Sequence, residues 1–170
     1  MIFLSIGSNL NSIFGDRFEN IKKSIQLLKL TNIIPLESSN YFETPSYPNK
    51  KNPKFINIAL SVVFNGSPES MIKKIFTIEK KMGRLKTVKN EPRTCDIDII
   101  DFNKLKLNTK KIVLPHPRAY NRNFVLLPLA QICPNWRHPI SNKKIDILIK
   151  SLPLQSRNEI TRLNESAILE

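Results

Sequence analysis

Glycine is scarce: Gly7, Gly15, Gly66 and Gly83 are the only four in 170 residues. None sits in a G-x-x-x-x-G-K-[ST] loop or a G-x-G-x-x-G turn, so the P-loop ATPase and protein kinase templates are excluded. Any nucleotide must be held by side chains rather than by a glycine cradle. Cysteine is scarcer still. Cys95 and Cys133 stand alone, which excludes a disulfide framework or a zinc knuckle and leaves two small hydrophobes. No apolar run approaches the ~20 residues that span a bilayer. The apolar start, Ile2 to Ile6, is far too short for a signal-peptide core, and no cationic stretch precedes it. The expectation is a soluble, cytoplasmic protein with no membrane partner. Repeats, low-complexity blocks and long linkers are missing too, as is any serine–histidine–acid or cysteine–histidine arrangement.

Acids are also in short supply. Lys and Arg total 27 against 14 Asp and Glu, a formal charge of +13. Such a surface attracts phosphate-bearing partners. A general Lys/Asn/Ile bias would give the same total, and the lysines are scattered, in pairs such as Lys22-Lys23 and Lys143-Lys144. Hydrophobic residues make up 41%, enough for a sizeable core in one compact domain. That domain is expected to span 1–155. Residues 156–170 lack a clear pattern and are expected to form a loose tail.

Ile2 to Ile6 reads as a short buried strand, broken by Gly7-Ser8-Asn9. Phe18, Ile21, Ile25 and Leu28 share one face of a helix over about 16–29. A second strand is expected from about Ile33 to Phe42, then a Pro- and Asn-rich loop, then a third strand from Phe55 to Phe64. Ser67-Pro68-Glu69 opens a helix well, with a capping hydroxyl, a first-turn proline and an acid at the positive dipole end. Ile72, Ile75 and Met82 share a face of it. Thr94 to Phe102 is a fourth strand. The order predicts an α+β fold, a ferredoxin-like βαββαβ core with a largely antiparallel sheet in an α/β sandwich. C-terminal helices follow, one near Val125 to Ile132 and one opened by Ser141 or Asn142.

The chemistry concentrates on Arg93-Thr94-Cys95-Asp96-Ile97-Asp98-Ile99. In a strand, residues two apart share a face, so Asp96 and Asp98 project together with roots about 7 Å apart. Two adjacent carboxylates repel and call for positive charge between them. A hard divalent cation suits, since Mg²⁺ takes one or two carboxylates plus phosphate oxygens. A solvated acidic face paired with Lys or Arg is the alternative at this point. Arg84, Lys86, Arg93, Arg118 and Arg122 flank the strand in sequence and suit phosphoryl transfer, where charge spread over phosphate oxygens must be stabilised. His116, between Pro115 and Pro117, has a restricted backbone and could donate to a phosphate. His138 has no acid nearby in sequence and reads as structural.

Taken together, the motifs resemble the 6-hydroxymethyl-7,8-dihydropterin pyrophosphokinases of folate biosynthesis. Ile6-Gly7-Ser8-Asn9-Leu10 is similar to that family's first strand and turn, and Tyr41-Phe42-Glu43-Thr44-Pro45 to its Y-x-x-T-P loop. Phe55-Ile56-Asn57 resembles F-x-N, and Glu79 with Gly83-Arg84 resembles E-x-x-x-G-R. Pro92 to Ile99 resembles its signature P-R-x-x-D-[LIV]-D-[LIV]. Pro115-His116-Pro117-Arg118, Arg122 to Leu126 and Pro128-Leu129 resemble its last stretch. The pieces run in order from residue 1 to about 140. The resemblance implies transfer of pyrophosphate from ATP to the pterin hydroxymethyl group, giving AMP. It implies two Mg²⁺ ions on Asp96 and Asp98, and phosphate contacts from Arg84, Arg93, His116 and Arg122. Glu79, Lys86, Ile99 and Lys111 fall on the ATP side. Thr44, Pro45, Phe55, Asn57 and Phe124 form the pterin pocket. The enzyme is expected to act as a monomer, without nucleic acid. Asn90-Glu91, Lys86, Ser46 and Tyr47-Pro48 depart from the family pattern.

Two other functions fit parts of the sequence. A different Mg-dependent phosphotransferase or nucleotidyltransferase could carry D-x-D on a strand. A nucleic-acid-binding module could carry the charge, but such sheets expose interleaved aromatics, where the fourth strand exposes Asp96 and Asp98.

Overall fold

The computed structural model describes residues 1–84 and 92–167. Its elements run β1 (Ile2–Ser8), α1 (Arg17–Leu30), β2 (Ile34–Ser38), β3 (Asn40–Thr44), β4 (Phe55–Val63), α2 (Pro68–Lys81) and β5 (Asp96–Phe102). The short strands β6 (Leu107–Asn108) and β7 (Val113–Leu114) follow, then α3 (Asn123–Ile132), α4 (Ile145–Lys150), α5 (Leu154–Asn158) and β8 (Thr161–Ser166).

The main sheet has the order β5-β1-β4-β3-β8, and β2 also pairs with β4. Every pairing is antiparallel. With β2 and β3 counted as one bent strand, this is the ferredoxin-like βαββαβ arrangement expected from the sequence. The bend has a local cause. Between β2 and β3, Ser39 accepts the Ala59 N–H with its hydroxyl and gives its own N–H to the Ala59 carbonyl. A side chain thus replaces one strand contact, and the single expected strand becomes two.

Helices cover both faces. Every residue of β1 is buried, as a strand covered on both sides requires. Ile2, Leu4 and Ile6 face Ile21, Ile25 and Leu28 of α1 and Met71, Ile75 and Ile78 of α2. Phe3, with Ala59 and Ile100, faces Val125, Leu126 and Leu129 of α3 and Leu148 of α4. Each such aliphatic side chain contributes about 1.5–3 kcal/mol on burial. The cap of α2 is the one the sequence suggests, whereas Asp16, expected as the first helical residue, caps α1 instead. Asp16 accepts the Phe18 and Glu19 N–H groups, and Ser67 accepts that of Ser70.

Two expectations change. The helix after the His138 region starts at Ile145, not at Ser141 or Asn142. The Ser141 N–H is taken by His138 Nδ1, and Asn142 has φ +53°, which puts both in a turn. The stretch expected to be loose carries β8, which pairs with the free edge of β3. Its side chains are mostly exposed, so backbone pairing rather than an apolar pattern marks the strand.

Candidate active site

The site lies where β1, β4 and β5 end beside α3. Asp96 stands opposite Gly7, Asp98 opposite Ser5, and Gly7 opposite Asn57. Ile97 and Ile99 point the other way, into the core beneath α1 and α2. The alternation read from the sequence therefore holds, and both carboxylates enter one cleft of about 1120 Å³.

Arginines surround the carboxylates. Arg84 Nη1 lies 2.7 Å from Asp96 Oδ1, and Arg93 Nη1 lies 3.0 Å from Asp96 Oδ2. Arg122 Nη1 is 3.4 Å and His116 Nε2 3.7 Å from Asp98 Oδ2. Arg118 also lines the cleft. These pairs are partly exposed, and each contributes only about 0–1 kcal/mol. A polyanion or a metal can therefore exchange for them at little cost.

Beneath this layer Glu79 is buried. It accepts hydrogen bonds from Arg84 Nη1 and, at 2.9 Å, from the Ile97 N–H. Burial pushes its carboxyl up to about 7. Its placement makes it the anchor that aims Arg84 at Asp96 and fixes the start of β5. Burial, then repulsion from Asp96, also holds Asp98 above the usual carboxylate range. Burial first, then Arg122 and Arg118, pull His116 down to about 4, so it is neutral at pH 7. Its Nδ1 accepts the Arg118 N–H at 3.2 Å, so the neutral ring carries its proton on Nε2, toward Asp98.

A second wall is less charged. Thr44, Pro45, Phe55, Asn57 and Phe124 all line the same cleft. Asn57 Nδ2 donates to Thr44 Oγ1 at 3.0 Å, which orients the amide. The Arg122 guanidinium lies 5.3 Å from the Phe124 ring centroid, joining the two walls. Space is tight at Gly7, where a Cβ would stand 3.0 Å from Asn57 Oδ1 and 3.6 Å from Phe55 Cδ1, so the amide would have to give way.

Not every expected residue reaches the cleft. The Ile99 side chain is in the core and Lys111 lies exposed in the turn before β7. Lys86, with Asn90 and Glu91, lies outside the described residues. Two features go beyond the residues singled out from the sequence. Asn9, buried, accepts the Arg93 N–H and donates to Ser46 Oγ and the Pro53 carbonyl, tying Arg93 to the 45–54 loop. Its position directly after the β1 turn was the available signal. Residues 153–159 form a further wall, and nothing in their composition announces it.

The donor set fits a hard cation in one way. Among the described residues no group of three or more His, Cys, Asp or Glu forms a metal cage. Two carboxylates on one face, one of them with its proton affinity raised by the other, suit an ion that takes its remaining ligands from phosphate and water.

Residues 3–134 match the family described as 7,8-dihydro-6-hydroxymethylpterin-pyrophosphokinase (HPPK). The chain is 33% identical over 132 residues to the 2-amino-4-hydroxy-6-hydroxymethyldihydropteridine pyrophosphokinase of Bacillus subtilis, covering 77% of each. It is 40% identical over 139 residues to the folic acid synthesis protein FOL1 of Dictyostelium discoideum, covering 82% of this chain and 20% of that one. The chain thus spans about a fifth of the length of that relative and of two fungal ones. The fold is similar to the crystal structure of wild-type Plasmodium falciparum HPPK-DHPS, with a TM-score of 0.67 at 17% identity over 86% of this chain and 40% of that one. Among the described residues no helix is long and apolar enough to cross a membrane.

Proposed function

The chain belongs to the 7,8-dihydro-6-hydroxymethylpterin-pyrophosphokinase family, and from that premise we propose that it transfers the pyrophosphoryl group of ATP to 6-hydroxymethyl-7,8-dihydropterin in folate biosynthesis. The observation that carries the proposal is the union of two walls in one cleft. One has paired carboxylates ringed by four arginines. The other has an oriented amide, Asn57, in the same lining as the Phe55 and Phe124 rings. The hydroxymethyl oxygen bonds to the β-phosphorus of ATP. The bond from that phosphorus to the oxygen bridging to the α-phosphate breaks. AMP leaves, and the hydroxyl proton is lost.

Each residue has a part. Asp96 and Asp98 would hold two Mg²⁺ ions. When bound, such ions neutralise phosphate charge and align the attacking and leaving oxygens. Arg84, Arg93 and Arg122 bind phosphate oxygens through planar donor forks, whose charge matters most as the transfer proceeds. His116 stays neutral and donates from Nε2 to a phosphate oxygen. Glu79 holds Arg84 in place. Asn57, oriented by Thr44, pairs with the polar edge of the pterin, whose flat ring stacks between Phe55 and Phe124 beside Pro45. On the ATP side, Lys86 contributes charge. Ile99 lies on the edge strand β5, so its main chain rather than its buried side chain would serve ATP.

The test is turnover with Mg–ATP and the pterin, using the wild type and the variants Asp96→Ala and Asp98→Ala. AMP is the expected nucleotide product. Each substitution should lower turnover at least about a hundredfold with an unchanged circular dichroism spectrum. ADP as product would contradict the reaction. Retained activity in either variant would remove that aspartate from it.

A further inference from the structure

The segment after α4 lies outside the family match, which ends at residue 134, yet Pro153, Gln155, Ser156 and Glu159 wall the cleft. It is anchored at both ends. Leu152 is buried in the core beneath α3, and Thr161 pairs with Glu43 of β3. In the middle, Asn123 Nδ2 donates to the Ser156 carbonyl at 2.6 Å, next to Phe124. From this fixed segment Glu159 reaches the 45–54 loop. Its carboxylate accepts hydrogen bonds from the Tyr47 hydroxyl, from Lys50 Nζ at 2.7 Å, and from Gln155 Nε2 at 2.7 Å. Lys50 Nζ also stands 5.2 Å from the Tyr47 ring centroid. These donors, Lys50 first, hold the Glu159 carboxyl down at about 2.

The base and the tip of the loop are secured separately. At the base, Asn9 Nδ2 and Ser46 Oγ both donate to the Pro53 carbonyl. Among the described residues, the hydrogen bonds that join the tip, residues 47–51, to the chain outside the 45–54 loop end on Glu159.

We propose that Glu159 is a positioning residue that holds the 45–54 loop as the outer wall of the pterin side of the cleft, and so sets affinity for the pterin but not for ATP. The proposal rests on the reading of the cleft given above. Thr44 and Pro45 lead directly into this loop, so an untethered tip leaves the pterin wall formed only part of the time. A ligand that needs the formed wall then binds more weakly by the fraction of molecules that have it. The ATP side draws on β5 and the 115–122 segment, and among the described residues the hydrogen bonds of Glu159 go to Tyr47, Lys50 and Gln155 instead, so ATP affinity is independent of the tether.

The test is steady-state kinetics with each substrate varied in turn, on the wild type, on Glu159→Ala, and on the pair Tyr47→Phe with Lys50→Met, which removes the same contacts from the opposite side. In both variants KM for 6-hydroxymethyl-7,8-dihydropterin should rise about tenfold, as a one-in-ten formed wall requires. KM for ATP should stay within about twofold and the melting temperature should not move. All three substitutions together should do no more than either set alone. If Glu159→Ala fails to fold, the Tyr47–Lys50 pair decides. A pterin KM within about twofold of wild type, or equal rises for both substrates, overturns the proposal. Wild-type turnover with an unmoved pterin KM overturns it alone. Absence of wild-type turnover overturns the pterin reading and this proposal with it.

Discussion

At the scale of residues, Asp96 and Asp98 share one face of β5 because successive strand residues point to opposite sides. Glu79 was visible as part of a motif, but not as the buried support of Arg84, since burial is not written in spacing. His116 shows what sequence leaves open. Its flanking prolines announce a restrained loop, whereas its protonation state follows from burial and from two arginines that only the fold brings near. In the metal-free protein His116 titrates near 4, below the 6.5 of an unfolded chain, so the unfolded state binds more protons between those values. Stability should therefore fall as pH drops from 6.5 to 4, by up to about 1.4 kcal/mol per pH unit from this residue. Denaturant titrations of the wild type and His116→Asn across that range check it, with a shallower slope expected for the variant. In ¹⁵N-resolved spectra at pH 7 the ring should be neutral with its proton on Nε2.

At the scale of elements, the strands and helices with strong periodicity were legible, and so was the cap at Ser67. The division of the second strand was not, because it depends on Ser39 meeting Ala59 across the sheet. The strand β8 was hidden for a different reason. A strand with most of its side chains exposed carries no alternation of apolar and polar residues, and its partner edge on β3 is far away in sequence, with 122 positions between Asn40 and Arg162. The close spacing of β1 and β4 yields a prediction. Gly7→Ala sets a Cβ 3.0 Å from Asn57 Oδ1, and the amide must give way. Pterin affinity should weaken by about threefold to tenfold with a stability loss of about 1–3 kcal/mol. Fluorescence titration with the pterin and urea unfolding measure the two effects, and ATP affinity serves as the unaffected control.

At the scale of the whole molecule, a charge of +13 says only that anions are favoured. The fold gives that charge an address, because four arginines converge on two carboxylates in one cleft while the lysines remain dispersed. The departures from the family pattern at Ser46 and Tyr47-Pro48 acquire a physical context as well. They sit in the loop that Glu159 holds, so these departures and the C-terminal wall meet at one contact. The proposed reaction moves two phosphoryl groups of ATP through this cleft as a unit. The most direct measurement uses ATP labelled at the β-phosphorus, with 6-hydroxymethyl-7,8-dihydropterin and Mg²⁺, followed by separation of the products. The label should appear entirely on the pterin, with one AMP formed per labelled pterin. Label retained in ADP, or released as free pyrophosphate, would contradict the account.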